Sequence, residues 1–168
     1  MSRLFVAAPL PDAVRADLAG RLSRPAEPGV RWVPEEQWHV TLRFLGEADD
    51  DDEAVQALSE LRAPVASVTL GPVVSRFGRD VVCLPAAGLD DLARVVRTVT
   101  AHIGEPAGRP FVGHLTLARL RNRAACGITG TSVLLTYPVT EVVLVRSTLG
   151  RGGATHEARH AVALDPTG

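Results

Sequence analysis

Lysine is missing from this chain altogether, cysteine is scarce, and no long apolar run interrupts it. Each shortage removes a class of protein. Only Cys83 and Cys126 are present, far apart and without CxxC spacing, which argues for reduced thiols and against a disulfide framework or a cysteine zinc site. Apolar runs such as Val142 to Val145 fall far short of the roughly 20 residues that cross a bilayer. The start, Met1-Ser2-Arg3-Leu4, lacks a secretory apolar core, so a soluble, cytoplasmic protein with no membrane partner is expected. A formal charge of −1 gives no global attraction to nucleic acid and leaves any such contact to a local patch. Arginine supplies the positive charge, and its planar fork suits phosphate oxygens, although an Arg- and Ala-rich composition also follows from a GC-rich genome.

What is present is 168 residues, the size of one domain or of two small lobes around a common core. Leu4 to Ala8 reads as a short buried strand, closed by Pro9-Leu10-Pro11-Asp12, where a helix begins. Val14, Leu18 and Leu22 give that helix one core-facing stripe. The acidic run Asp49 to Glu53 precedes Ala54, Val55, Leu58 and Leu61, and so reads as a helix N-terminus rather than a metal site. Strands are expected over Val65–Val74 and Val81–Leu84 around a turn at Ser75-Arg76-Phe77-Gly78. A third helix carries Leu89, Leu92, Val96, Val99 and Ile103 and stops at Gly104. Strands at Ser132–Leu135, Val139–Ser147 and Ala158–Leu164 complete the chain, the last two separated by a turn at Gly150–Gly153.

Two stretches carry the chemistry. His39-Val40-Thr41-Leu42 and His114-Leu115-Thr116-Leu117 each place His and Thr two residues apart in an apolar strand, where alternate side chains share a face. His39 and Thr41 then share one face against Val40, Leu42 and Phe44, and His114 and Thr116 oppose Leu115 and Leu117. The motifs stand 75 residues apart, from 39 to 114, which suggests two similar halves, each offering one strand to a shared cleft in an α+β fold. Paired imidazoles titrate near neutrality, so one can take a proton from a nucleophile while the other gives one to a leaving group. Phosphodiester cleavage needs both, and each Thr hydroxyl is placed to donate to a non-bridging phosphate oxygen.

The resemblance that these residues carry is to the two-histidine phosphoesterases, and within them to the RNA 2′,3′-cyclic phosphodiesterases, also called the 2′-5′ RNA ligase family. It covers nearly the whole chain: Arg3-Leu4-Phe5-Val6-Ala7 with Pro9-Leu10-Pro11, Arg31-Trp32-Val33-Pro34, His39 through Gly46, Ser75-Arg76-Phe77-Gly78, His114 through Arg119, and Ser147 through Ala154. The resemblance implies that residues 1–168 form a single two-lobed, pseudo-duplicated α+β domain, with antiparallel sheets lining a central cleft and helices outside. It also implies metal-free hydrolysis, without a cofactor, of a terminal 2′,3′-cyclic phosphate to a 2′-phosphate, by a monomer acting on RNA ends or cyclic nucleotides. His114 would be the general base, His39 the general acid, Thr41 and Thr116 the holders of phosphate oxygens. Arg119 would add charge, provided that the strand ends or bulges near Ala118, since its parity is opposite to that of His114. Arg43, on the His39 face by parity, would assist, and Trp32 and Phe77 are candidate substrate-binding residues. The chain departs from the family pattern at Gly113, where relatives often have proline, which loosens the approach to His114, and at His156, where they often have an aromatic residue.

Two other readings compete. His156-Glu157-Ala158-Arg159-His160 matches the HExxH zinc-hydrolase signature, which works only on a helix, whereas here it follows a Gly-rich turn and reads as a surface strand. A non-catalytic module that merely holds RNA ends needs only arginines, not two His/Thr pairs. His102 falls near a helix end, where its ring would meet the terminal carbonyls. Trp32 and Trp38 read as core or cleft-wall residues, with base stacking as the alternative.

Overall fold

The computed structural model describes residues 2–166. Ten strands form one curled antiparallel arrangement with three helices, the expected α+β class. In chain order the strands are β1 (Ser2–Pro9), β2 (Val30–Trp32), β3 (His39–Glu47), β4 (Ala66–Leu70), β5 (Ser75–Phe77), β6 (Val81–Ala87), β7 (His114–Leu120), β8 (Leu135–Val139), β9 (Glu141–Gly150) and β10 (Gly153–Ala163). The helices are α1 (Asp12–Arg21), α2 (Asp52–Ser59) and α3 (Asp90–Val99). Strand order is β10-β9-β1-β3-β7-β6-β4-β8, with β2 beside β7 and β5 beside β6.

The repeat suggested by the motif spacing is visible in the topology. β1–α1–β3 and β6–α3–β7 are both strand, helix and motif strand, and in each the two strands pair antiparallel. β3 and β7 meet at a single pair, Val40 with Leu115, at the centre of the sheet. Those two residues are equivalents, 75 positions apart, so an antiparallel pairing between them relates the two motifs by a local two-fold. His39 and Thr41 therefore flank the crossing as His114 and Thr116 do.

Burial explains why these segments adopt these elements. Five consecutive residues of β1, Leu4 to Ala8, are buried because β3 and β9 flank the strand and both of its faces are covered. α3 turns Leu92, Ala93 and Val96 inward, and each fully buried apolar side chain of Leu size stabilises the fold by about 2 kcal/mol. Gly104 is not the stop of α3, which ends five residues earlier at Val99; it lies in the loop that follows. Its φ is +65°, and a Cβ there would stand 2.0 Å from the Leu45 carbonyl oxygen, so only glycine lets this loop lie against β3.

Several boundaries differ from expectation. β5 occupies Ser75–Phe77, where a turn was expected, and the turn follows it at Gly78–Asp80. β4 ends at Leu70 because Gly71 has a φ of +115° and Pro72 lacks a donor for the ladder. β8 begins at Leu135 rather than Ser132, and only an isolated bridge joins Ser132 to Val73. α3 ends at Val99, so His102 lies beyond it, exposed, with Nε2 at 4.0 Å from Glu53 Oε1 rather than on the helix's terminal carbonyls. Asp51 precedes α2 but makes no side-chain cap; its carboxylate instead accepts from Arg159 Nε, and this guanidinium holds the carboxyl below its usual range.

Candidate active site

Each motif strand departs from regular alternation at the same place. The residues of β3 from His39 to Phe44 run half-buried, buried, half-buried, buried, buried, exposed, and those of β7 from His114 to Arg119 repeat that sequence. The cause is a register shift in the partner strand's pairing: between Val6 and Ala7 opposite β3, and between Val82 and Cys83 opposite β7. One extra residue inverts the side chains that follow, on β3 as far as a second shift between Leu4 and Phe5. Arg119 is thereby turned onto the His114 face, as its expected role requires.

The same shift overturns two expectations on β3. Arg43 does not face the cleft. It is 4% exposed, and its Nη2 donates to the carbonyl oxygens of Ile103 at 3.0 Å and Glu105 at 2.9 Å, tying the loop after α3 to β3. Phe44, expected beside Val40 and Leu42, lines the cleft instead and is 46% exposed. It is the counterpart of Arg119 in the repeat, an equivalence that the 75-residue spacing contained.

One cavity of about 510 Å³ gathers His39, Thr41, His114, Thr116, Arg119 and Trp32. Both imidazoles are held alike. His39 Nδ1 lies 2.7 Å from the Gln37 carbonyl oxygen and His114 Nδ1 lies 2.8 Å from that of Val112, in each case two residues back. A carbonyl only accepts, so Nδ1 carries the proton and Nε2 is left as the unprotonated nitrogen of the neutral ring. Thr41 Oγ1 stands 2.9 Å from His39 Nε2 and donates to it. An aromatic ring covers one face of each imidazole: Phe5 on His39, centroids 4.8 Å apart, and Phe77 on His114, 4.3 Å apart and nearly parallel. Phe77 thus positions His114 and does not itself line the cavity. Trp32 is a wall residue whose Nε1 donates to the Pro25 carbonyl, while Trp38 is buried in the core beneath the Arg24 guanidinium.

His156, on β10, is among the cavity residues that sequence reasoning left out of the site. It lines the cavity and meets both Phe5, at 5.3 Å, and His39, at 5.6 Å, edge to face. Its only signal in the sequence was an imidazole where relatives carry an aromatic. β10 is a strand, so the HExxH match has no helical turn to bring His156 and His160 together. Among the described residues no group of three or more His, Cys, Asp or Glu side chains is placed to hold a metal ion. Burial, opposed by the bond to Gln37 and reinforced by His156, His114 and Arg119, pulls His39 down to about 4. His156 is lowered too, by burial and then Arg119. Gly113 does not loosen the approach to His114: its carbonyl accepts from Ala86 N at 2.9 Å, and a Cβ would stand 2.3 Å from the Ala86 oxygen.

The family described as LigT like Phosphoesterase matches residues 8–75, the part of the chain that contains the first motif. An RNA 2′,3′-cyclic phosphodiesterase of Thermus thermophilus is 30% identical over 96% of this chain and 90% of that protein. The chain belongs to the LigT-like phosphoesterase family. Solved structures of the family agree with this phosphoesterase's fold over nearly its whole length: Escherichia coli LigT in its apo form superposes with a TM-score of 0.76 at 30% identity, covering 97% of each chain. The same LigT complexed with 3′-AMP gives 0.77 at 28% identity, covering 97% of this phosphoesterase and 98% of LigT.

Proposed function

We propose that this phosphoesterase hydrolyses a terminal 2′,3′-cyclic phosphate to a 2′-phosphate, using its two histidines as acid and base and no metal. The observation that supports this reading is the pairing of equivalent strands at Val40 and Leu115, with two Nδ1-anchored imidazoles, each with a threonine, lining one cavity. His114 Nε2 takes a proton from water, whose oxygen attacks phosphorus. The bond from phosphorus to O3′ breaks, and His39 Nε2 gives its proton to O3′. Thr41, Thr116 and Arg119 donate to the non-bridging oxygens as charge builds on them. The preference of His39 for the neutral ring is consistent with an acid role because an arriving phosphate anion favours the imidazolium, so substrate and proton enter together.

The name of the Thermus relative and the 3′-AMP complex of LigT both support a ribonucleotide substrate. The test is turnover of adenosine 2′,3′-cyclic phosphate in the presence of EDTA, with the product identified. We expect adenosine 2′-phosphate at an undiminished rate, and a loss of about 10³-fold or more in kcat for both His39→Ala and His114→Ala. A 3′-phosphate product, chelator inhibition, or a mutant that keeps most of its rate would overturn the assignment. Binding of the nucleotide without turnover would favour an RNA-end-binding module of the same fold.

A further inference from the structure

We infer that the cleft holds a second phosphate site at Arg31, next to Arg119, and that it takes the phosphate on the 5′ oxygen of the nucleotide that carries the cyclic phosphate. The inference rests on the proposed function for the place of the first phosphate, at the two His/Thr pairs. Its own basis is the register of β2 on β7, in which Arg31 stands directly opposite Arg119. Cross-strand neighbours on one face have Cβ atoms about 5 Å apart, and like charges in that position repel. Both guanidiniums nevertheless line the cavity, and Arg3 reaches it from β1, two residues from the Phe5 that covers His39.

The charge of the cavity is one-sided. Its lining contains these three arginines and three histidines and no Asp or Glu, in a molecule whose formal charge is −1. Among the described residues none of the three guanidiniums makes an ion pair, whereas other arginines are partnered: Arg15, Arg21, Arg24 and Arg159 each have a carboxylate within 2.9 Å. An unneutralised like-charge pair inside a cleft is stabilised by a bound anion, and a guanidinium fork fits phosphate oxygens. One phosphate engages Arg119 at the reaction centre. Arg31, one strand farther out, is left for another. Its Nη1 lies 4.0 Å from the position a Cβ would take on Gly153, which puts this guanidinium beside the β9–β10 turn.

In an RNA chain that ends in a cyclic phosphate, the nearest other phosphate is the one on the 5′ oxygen of the terminal nucleotide. Trp32, Phe44 and Leu149 supply apolar walls for the nucleoside between the two. An acidic peptide would use the charge but has no nucleoside to set against these apolar walls.

The test compares binding of adenosine 2′-phosphate and adenosine 2′,5′-bisphosphate by calorimetry, for the intact protein and for Arg31→Gln, whose fold is checked by circular dichroism. Arg31 is exposed and makes no ion pair, so the variant should fold. We expect the bisphosphate to bind about 10-fold more tightly than the monophosphate at low salt, the advantage shrinking as salt rises, and to fall below about twofold in Arg31→Gln. No advantage in the intact protein, or the same advantage in the variant, would overturn the second site. Both ligands are products or product analogues, so the outcome does not depend on turnover. Failure of the cyclic phosphate to react would instead count against the proposed function alone.

Discussion

At the residue scale, the chemistry is decided by what surrounds each imidazole. His39 and His114 share an anchor, a carbonyl two residues back, and a covering aromatic ring, but only His39 has a second histidine against its edge. Burial and this crowding hold it at about 4 in the folded protein, below the 6.5 of an unhindered imidazole. Between those values the unfolded chain binds a proton that the folded one refuses, so the contribution to stability is fully present above pH 6.5 and is lost as pH falls toward 4. Measured by urea unfolding, the intact protein should lose roughly 1–3 kcal/mol more than His39→Asn between about pH 7 and pH 4. Parallel losses in the two proteins would mean that the ring is not desolvated. Sulfate or phosphate in the buffer should flatten the difference, because an anion in the cleft favours the imidazolium.

At the element scale, β3 both presents His39 and anchors the loop after α3. The anchor is Arg43, whose guanidinium supplies donors to two carbonyls on that loop from a site 4% exposed to solvent. Replacing it by Met keeps the apolar stem and removes the donors, leaving the Ile103 and Glu105 oxygens unpaired. The expected cost is about 2–4 kcal/mol in unfolding free energy, with KM for a cyclic nucleotide unchanged in the protein that remains folded. A raised KM at undiminished stability would return Arg43 to the substrate. The alternation of His and Thr was legible because it needs only a strand. The faces of Arg43, Phe44 and Arg119 were not, because they depend on a register shift set by β1 and β6, which lie far from them in the chain. β5 was illegible for a related reason: it is three residues long, and its ladder with β6 rather than its composition makes it a strand.

At the scale of the whole molecule, the internal repeat and the two lobes are not the same division. The lobe that carries His39 combines β1 and β3 from the start of the chain with β9 and β10 from its end, while the lobe that carries His114 is built from β4 to β8 and β2. This closure explains how His156 reaches a site whose two His/Thr pairs lie 40 to 117 residues earlier, counting from Thr116 and from His39, and why it was not grouped with them from sequence alone. Further ties cross between the lobes. α3, which belongs to the second repeat, packs against β3 and α2, and the segment after β10 pairs with the one before β4 through Val65 N to Asp165 O at 3.0 Å and Asp165 N to Ala63 O at 2.8 Å. Neither lobe can lose its strands without exposing the other's core, so one cooperative unit is expected rather than two. Calorimetry should give a single thermal transition whose van't Hoff and calorimetric enthalpies agree, and Arg43→Met should move that transition without splitting it. Two resolved transitions, or an enthalpy ratio well below one, would show that the lobes melt separately and that the cleft between them is held by less than its strand pairing and loop contacts suggest.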